Sequence, residues 1–177
     1  MQVQTLGKIA VALPLGPTVE RFRTRKCEEL LGLLVRDTGK FLARESLGEY
    51  LWPEQTCKTQ RNRLRYELCM LRPLFAPAQL KTSGHDRVSL CAPSDFVAFE
   101  TAARHALRLP CSPARLEALE TAFSLYGGEF LPGHYTEWVI EERERLEALR
   151  SDLLYRLTTD CATLGQPEAS RYWERKH

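Results

Sequence analysis

The chain lacks an apolar run of the roughly 20 residues that a membrane-crossing helix needs. Its early apolar stretch, Ile9 to Leu13, is short, follows Lys8 and is closed by Pro14. That stretch fails as a secretory leader or a membrane span and fits a strand. Metal-site spacing is missing as well. Cys27, Cys57, Cys69, Cys91, Cys111 and Cys161 never fall at C-x-x-C spacing, and no His stands at motif distance from a Cys pair. No metal site is expected, and the thiols read as reduced ones in a cytoplasmic protein. Their even count leaves a disulfide framework formally open. Catalytic signatures are equally scarce. His85, His105, His134 and His177 are scattered, and no nucleophile elbow, P-loop, HExxH or paired-carboxylate site can be placed. Neither catalysis nor a cofactor is expected. Glu141, Glu142 and Glu144, flanked by Arg143 and Arg145, have the spacing of a solvated helix face. With 44% hydrophobic and 27% charged residues, the composition also excludes intrinsic disorder.

A net charge of +2 conceals a division of the chain at Ser94. Residues 1–94 hold 15 Lys and Arg against 9 Asp and Glu, a net of +6, while residues 95–177 hold 10 against 14, a net of −4. A polyanion is attracted to the first part and repelled by the second.

The basic part centres on Thr56 to Phe75, which carries Lys58, Arg61, Arg63, Arg65 and Arg72 against the one acid Glu67. Leu64, Leu68, Leu71 and Phe75 recur at helical steps and form a narrow apolar stripe. Lys58, Arg61, Arg65 and Arg72 form a cationic stripe a quarter turn away, with Asn62, Tyr66 and Cys69 further round. A buried face beside a cationic, amide-bearing face is the pattern of a DNA recognition helix. Taken alone, the helix is equally well a solvated, Arg-rich surface. Cys69 on the outward side suits close approach to DNA better than redox sensing, although nearby arginines favour thiolate.

The surroundings favour DNA. Val3 to Leu15, broken by Gly7, predicts two short strands with a tip at Leu15 to Thr18. Thr24 is a candidate N-cap for a helix over RKCEELLGLLVR, with Cys27, Leu30, Leu31, Leu34 and Val35 on one face and Asp37-Thr38-Gly39 as its stop. Phe41 and Leu42 suggest a short strand or turn. Arg44 to Leu51 predicts a second helix with Leu47, Tyr50 and Leu51 inward, ended by Trp52 and Pro53. Leu80, Thr82, Val88 and Leu90 bracket Ser83-Gly84-His85-Asp86, a hairpin with a glycine at its tip. Strands, helix, helix, basic helix and hairpin follow one another as in a winged helix-turn-helix.

Beyond Ser94 the pattern is all helical. Phe96, Phe99, Ala103 and Leu107 share a face; so do Leu116, Leu119 and Phe123 after a break at Pro110 to Pro113. Gly127-Gly128 and Pro132-Gly133 mark a long loop that looks functional. Glu137 to Leu164 predicts one long helix with Leu146, Leu149, Leu153 and Leu157 as its stripe, and Glu168 to Lys176 starts another. Antiparallel helices joined by short turns suit a tetratricopeptide-like stack; a plain bundle covering the first domain is the alternative.

LGKIAV, RKCEELLGLLVRDTGKFLARESLGEYLWPE and QRNRLRYELCMLRPLF resemble the OmpR-like winged helix of the antibiotic-regulatory (SARP-type) family of bacterial transcription activators. DFVAFE at Asp95, LYGGEFLPG at Leu125 and WVIEERERLEALR at Trp138 resemble that family's bacterial transcriptional activation domain. The resemblance covers nearly the whole chain. Gly84-His85 departs from it, since many members have an aromatic residue after that glycine. The family's activation domain is usually longer, whereas this sequence stops at His177 inside an expected helix. Tyr172 and Trp173 are therefore expected to be mobile or covered by another chain.

The expected fold is α+β and mostly helical, with a winged-helix DNA-binding domain over residues 1–92 and a truncated, tetratricopeptide-like all-α domain over 93–177. The expected partner is double-stranded DNA. Asn62, Arg65 and Tyr66 are candidates for base or thymine-methyl contact, since an Asn amide pairs with adenine and an Arg fork with guanine. Lys58, Thr59, Arg61, Arg63 and Arg72, with Arg25 or Lys26 and with Arg44, are candidates for the backbone. Arg87 is a candidate for the minor groove or a phosphate. The resemblance further implies direct-repeat sites, RNA polymerase as a partner and a homodimer on DNA. The alternative is a protein-interaction module that shows no salt-sensitive DNA affinity.

Overall fold

In the computed structural model, which describes residues 1–14 and 16–176, three short strands open the chain: β1 (Gln2–Gln4), β2 (Ala10–Ala12) and β3 (Thr18–Val19). They form an antiparallel sheet in the order β1-β2-β3. Alternation predicts the first two. The third, two residues long, carries no period of its own and is defined by Val19 pairing with Val11. Of the predicted tip, Leu15 lies outside the described residues and Thr18 belongs to β3.

α1 (Arg25–Arg36) begins where Thr24 Oγ1 accepts the Cys27 N–H at 3.0 Å, satisfying one of the helix's free amides. The predicted face is buried, and Leu33 and Glu29 are buried with it. A single apolar face was expected; α1 is instead central, packed between α2 (Arg44–Leu51) and α3 (Cys57–Leu71) and also against α4 (Asp95–Arg108). Within α2, Leu47 and Leu51 point inward, but Tyr50 is 45% exposed, its ring edge-on to Trp138 at 6.5 Å between centroids. Trp52 is buried after α2, and its carbonyl accepts Gln60 Nε2 at 2.8 Å, which fixes the turn into α3.

Leu64, Leu68, Leu71 and Phe75 are all buried. The α-helix stops at Leu71 rather than running to Phe75, because Pro73 has no amide to continue the ladder, and a single 3-10 turn spans Arg72–Leu74. β5 (Leu80–Ser83) and β6 (Arg87–Leu90) form the predicted hairpin, with Gly84 in the left-handed region at its tip (φ +61°). They join β4 (Leu42–Ala43) in a second sheet, ordered β4-β6-β5.

The rest is helical: α4, then α5 (Pro113–Ser124), α6 (Glu137–Thr163) and α7 (Pro167–Glu174), each packed on the next. Ser94 and Ser112 cap α4 and α5, accepting the Val97 and Arg115 amides at 3.2 Å. Arg115 and Asp160 form a buried ion pair between α5 and α6. The solvated-face reading of the glutamate cluster holds for Glu141 and Glu144 but not for Glu142, which is buried and grips Arg145 at 2.5 Å. Trp173 also differs from expectation. α7 folds back on the bundle, so the ring is buried against Phe123, 5.3 Å between centroids.

One apolar core runs through the whole chain, from Val3 and Leu31 to Phe96, Phe130 and Leu157. The Thr5 and Leu6 amides donate to the Asp95 carboxylate at 2.9–3.0 Å, and the Leu131 amide donates to the Thr5 carbonyl at 2.9 Å. The glycine-marked loop ahead of α6 is thus occupied in joining the N-terminal sheet to the helical half. The fold is α+β and mostly helical, with two small sheets.

Candidate nucleic-acid interface

Glu67, the one acid on α3, faces inward, where it accepts a hydrogen bond from Thr24 Oγ1 at 2.7 Å. The outward surface of α3 consequently carries only positive and neutral groups. Among the described residues, no ion pair involves Arg44, Lys58, Arg61, Arg63, Arg65, Arg72, Lys81 or Arg87. Arg104, Arg115, Arg143, Arg145 and Arg150 in the helical half are all paired with carboxylates. Among the described residues, none of the four arginines that border one face beside α3, Arg44, Arg61, Arg65 and Arg72, has a carboxylate partner, so positive charge collects there.

A cleft of about 610 Å³ runs between α3 and the β5–β6 hairpin, bordered by Arg44, Arg61, Asn62, Arg65 and Arg72 on the helical side and by Thr82 and His85 on the hairpin. Cys69 also borders it and is exposed. The Arg44 amide donates to the Asp86 carbonyl at 2.7 Å, pinning the start of α2 to the hairpin. Burial, reinforced by the charges of Arg72 and Arg65, draws the Arg44 pKa below the usual arginine value, with Asp86 pulling the other way.

The remaining candidates are spread around this cleft or away from it. Lys58 is exposed in the first turn of α3, and Thr59 is half-buried with its hydroxyl 3.1 Å from that of Thr56. Arg63 is exposed but does not line the cleft. Tyr66 is 43% exposed, with the Arg23 guanidinium 6.0 Å from its ring centroid. Arg87 is exposed on β6. Arg25 and Lys26 do not join this surface. Arg25 donates to the Gly133 carbonyl, and Lys26 pairs with Glu29 at 2.8 Å, so α1 turns both toward the helical half.

Arg23 escaped the sequence reading, and Thr82 and His85 entered it as hairpin residues and not as candidates for this surface. Arg23 sits in coil just before a cap, where no periodicity marks it, and the two hairpin residues reach the cleft only through the pairing of β6 with β4. That pairing joins residues more than forty positions apart in the chain.

No protein-family model and no curated protein sequence matches the chain. Among solved structures, its fold is similar to that of Mycobacterium tuberculosis EmbR, determined in complex with a low-affinity phosphopeptide, with a TM-score of 0.77 and 20% sequence identity. The match covers 95% of this chain and 47% of that one, so the chain spans about half the length of the structure it resembles. At this identity the likeness establishes the shared fold; the phosphopeptide belongs to EmbR.

Proposed function

We propose that the chain is a sequence-specific DNA-binding regulator of transcription, acting as an activator in the cytoplasm and carrying out no catalysis. The observation that carries the reading is the un-neutralised set of cations around one cleft beside α3. In this reading α1–α3 and the β5–β6 hairpin are a winged helix-turn-helix, and α4–α7 are a tetratricopeptide-like activation domain. α3 enters the major groove, which is wide enough for a helix, and offers Asn62, Arg65 and Tyr66 to base edges. Arg61, Arg63 and Arg72 hold phosphates, with Lys58 and Thr59 at the start of the helix and Arg87 on the wing. Arg25 and Lys26, already engaged within the chain, are left out of the contact set. The polymerase contact and the side-by-side placement of copies on direct repeats belong to the same proposal.

Selection of bound sequences from random duplex DNA with the purified chain tests the reading. Enrichment of one motif repeated at a fixed spacing is the expected result. Failure to enrich any sequence, together with affinity that ignores salt, would replace it with a protein-interaction module.

A further inference from the structure

Within the cleft, Arg44 is the residue whose bonding is incomplete. Its Nε is buried and has no partner, and among the described residues no carboxylate lies within ion-pair distance of its guanidinium. Arg61, Arg65 and Arg72 border the same cleft. Burial and the charges of Arg72 and Arg65 act against the Arg44 cation, and the Asp86 carboxylate offsets part of this. Like charges gathered in this way repel one another, and a buried donor left unbonded adds to the cost. An anion placed among them relieves the repulsion.

We propose that Arg44 and Arg72 form a receptor for one tetrahedral phosphate group, filled by a single backbone phosphodiester of duplex DNA. The inference rests on the DNA-binding reading and adds a fixed anchor to it, supplied by α2 rather than α3. The choice of arginine fits the task, since a planar guanidinium presents parallel N–H groups to two phosphate oxygens, which a lysine ammonium does not. Asp86 bonds Arg44 through its backbone carbonyl and not through a carboxylate ion pair, so the guanidinium is left for an external anion. A free phosphate offers the same chemistry, and the test separates the two sources.

In the test, duplexes carrying a selected site have one phosphate at a time replaced by an uncharged methylphosphonate. They are titrated with the unmodified chain, Arg44→Gln and Arg44→Lys, each first checked for folding by denaturant melts. At one linkage per bound copy, neutralisation should weaken the unmodified chain about tenfold. Arg44→Gln should lose a similar factor on the unmodified duplex and then be indifferent to that linkage; Arg44→Lys should fall between. If Arg44→Gln keeps full sensitivity at every linkage, the receptor is wrong while the DNA reading stands. If no duplex binds at all, both fall. An NMR titration of the Arg44 Nε–H signal supplies the second arm, with duplex compared against inorganic phosphate at matched ionic strength. A shift produced by phosphate and not by duplex would assign the receptor to a free anion and overturn the proposal.

Discussion

Thr24 serves two helices at once: its hydroxyl oxygen accepts the Cys27 amide at 3.0 Å to start α1 and donates to Glu67 on α3 at 2.7 Å. The bond sets the rotation of α3 about its axis, holding its acid inward and its arginines outward. A local capping choice therefore determines the charge of a surface one helix away. Thr24→Val removes both bonds and leaves a buried carboxylate without its donor, so it should cost about 2–4 kcal/mol in denaturant melts. Glu67→Gln keeps an acceptor oxygen and should cost less than about 1 kcal/mol. Equal losses in the two variants would show that Glu67 is held by something other than Thr24.

A second prediction concerns the join between the N-terminal sheet and the helical half. Gly7 has φ +75°, and a Cβ added there would lie 2.2 Å from the Gly127 carbonyl oxygen. The clash is with backbone, so neither segment can yield by turning a side chain. Gly7→Ala should destabilise the fold by at least about 3 kcal/mol. Gly39 is a matched control, since its φ is +80° but nothing lies within 4 Å of the added Cβ. Gly39→Ala should cost only the left-handed backbone penalty of about 1–2 kcal/mol. Similar melts for the two variants would mean that the sheet does not seat against residues 127–128.

The acid dependence of stability should report the contact between α1 and the loop ahead of α6. Buried His134 has Nε2 2.7 Å from Glu28 and Nδ1 3.3 Å from Glu29. Burial pushes the Glu29 carboxyl up, but hydrogen bonds from His134 and Lys26, with their charges, bring its pKa below the ordinary 4.5. A carboxyl with a depressed folded-state pKa contributes stability above its unfolded value and loses it as pH falls through the folded value. Unfolding free energy should therefore drop below about pH 4.5, and Glu29→Gln should flatten part of that slope. Asp37 and Glu100, also lowered by their basic neighbours after burial is overcome, keep the remainder. A slope unchanged in Glu29→Gln would remove Glu29 from the account.

These contacts mark the division between what the sequence discloses and what it withholds. Thr24, the 3.6-residue period and the Asp37-Thr38-Gly39 stop are local, and α1 has the predicted bounds; α2 and the β5–β6 hairpin follow for similar reasons. The apolar stripe of α3 is legible for the same reason. Tyr50, Arg25, Glu142 and Trp173 departed from expectation because their surroundings come from distant segments. An Arg on a predicted helix reads as free, and nothing local reveals that the Gly133 carbonyl occupies Arg25; the Lys26–Glu29 pair, three residues apart on α1, is by contrast a local one. At the candidate site, the cationic stripe was visible, but its sorting into a cleft side and an outer side depended on where the hairpin lies.

The last prediction separates attraction from readout on α3. Phosphate contacts add affinity to any duplex and release counterions, whereas base contacts add affinity to one sequence only. If Arg61, Arg63 and Arg72 hold phosphates, each Ala variant should weaken specific and non-specific binding together and lower the magnitude of the salt slope by about one. If Asn62 and Arg65 read bases, each Ala variant should cost about 1–3 kcal/mol on the selected site and little on scrambled DNA. The cleft adds a geometric distinction. Arg61 and Arg72 border it and Arg63 does not, so the first two should couple to Arg44 in double-variant cycles while Arg63 should be additive. Fluorescence titrations of the five single variants on both duplexes at several salt concentrations provide the measurement. Uniform behaviour of all five would break the partition between attraction and readout. Additivity of Arg72 with Arg44 would uncouple the two arginines, leaving α3 to act on DNA without the anchor from α2.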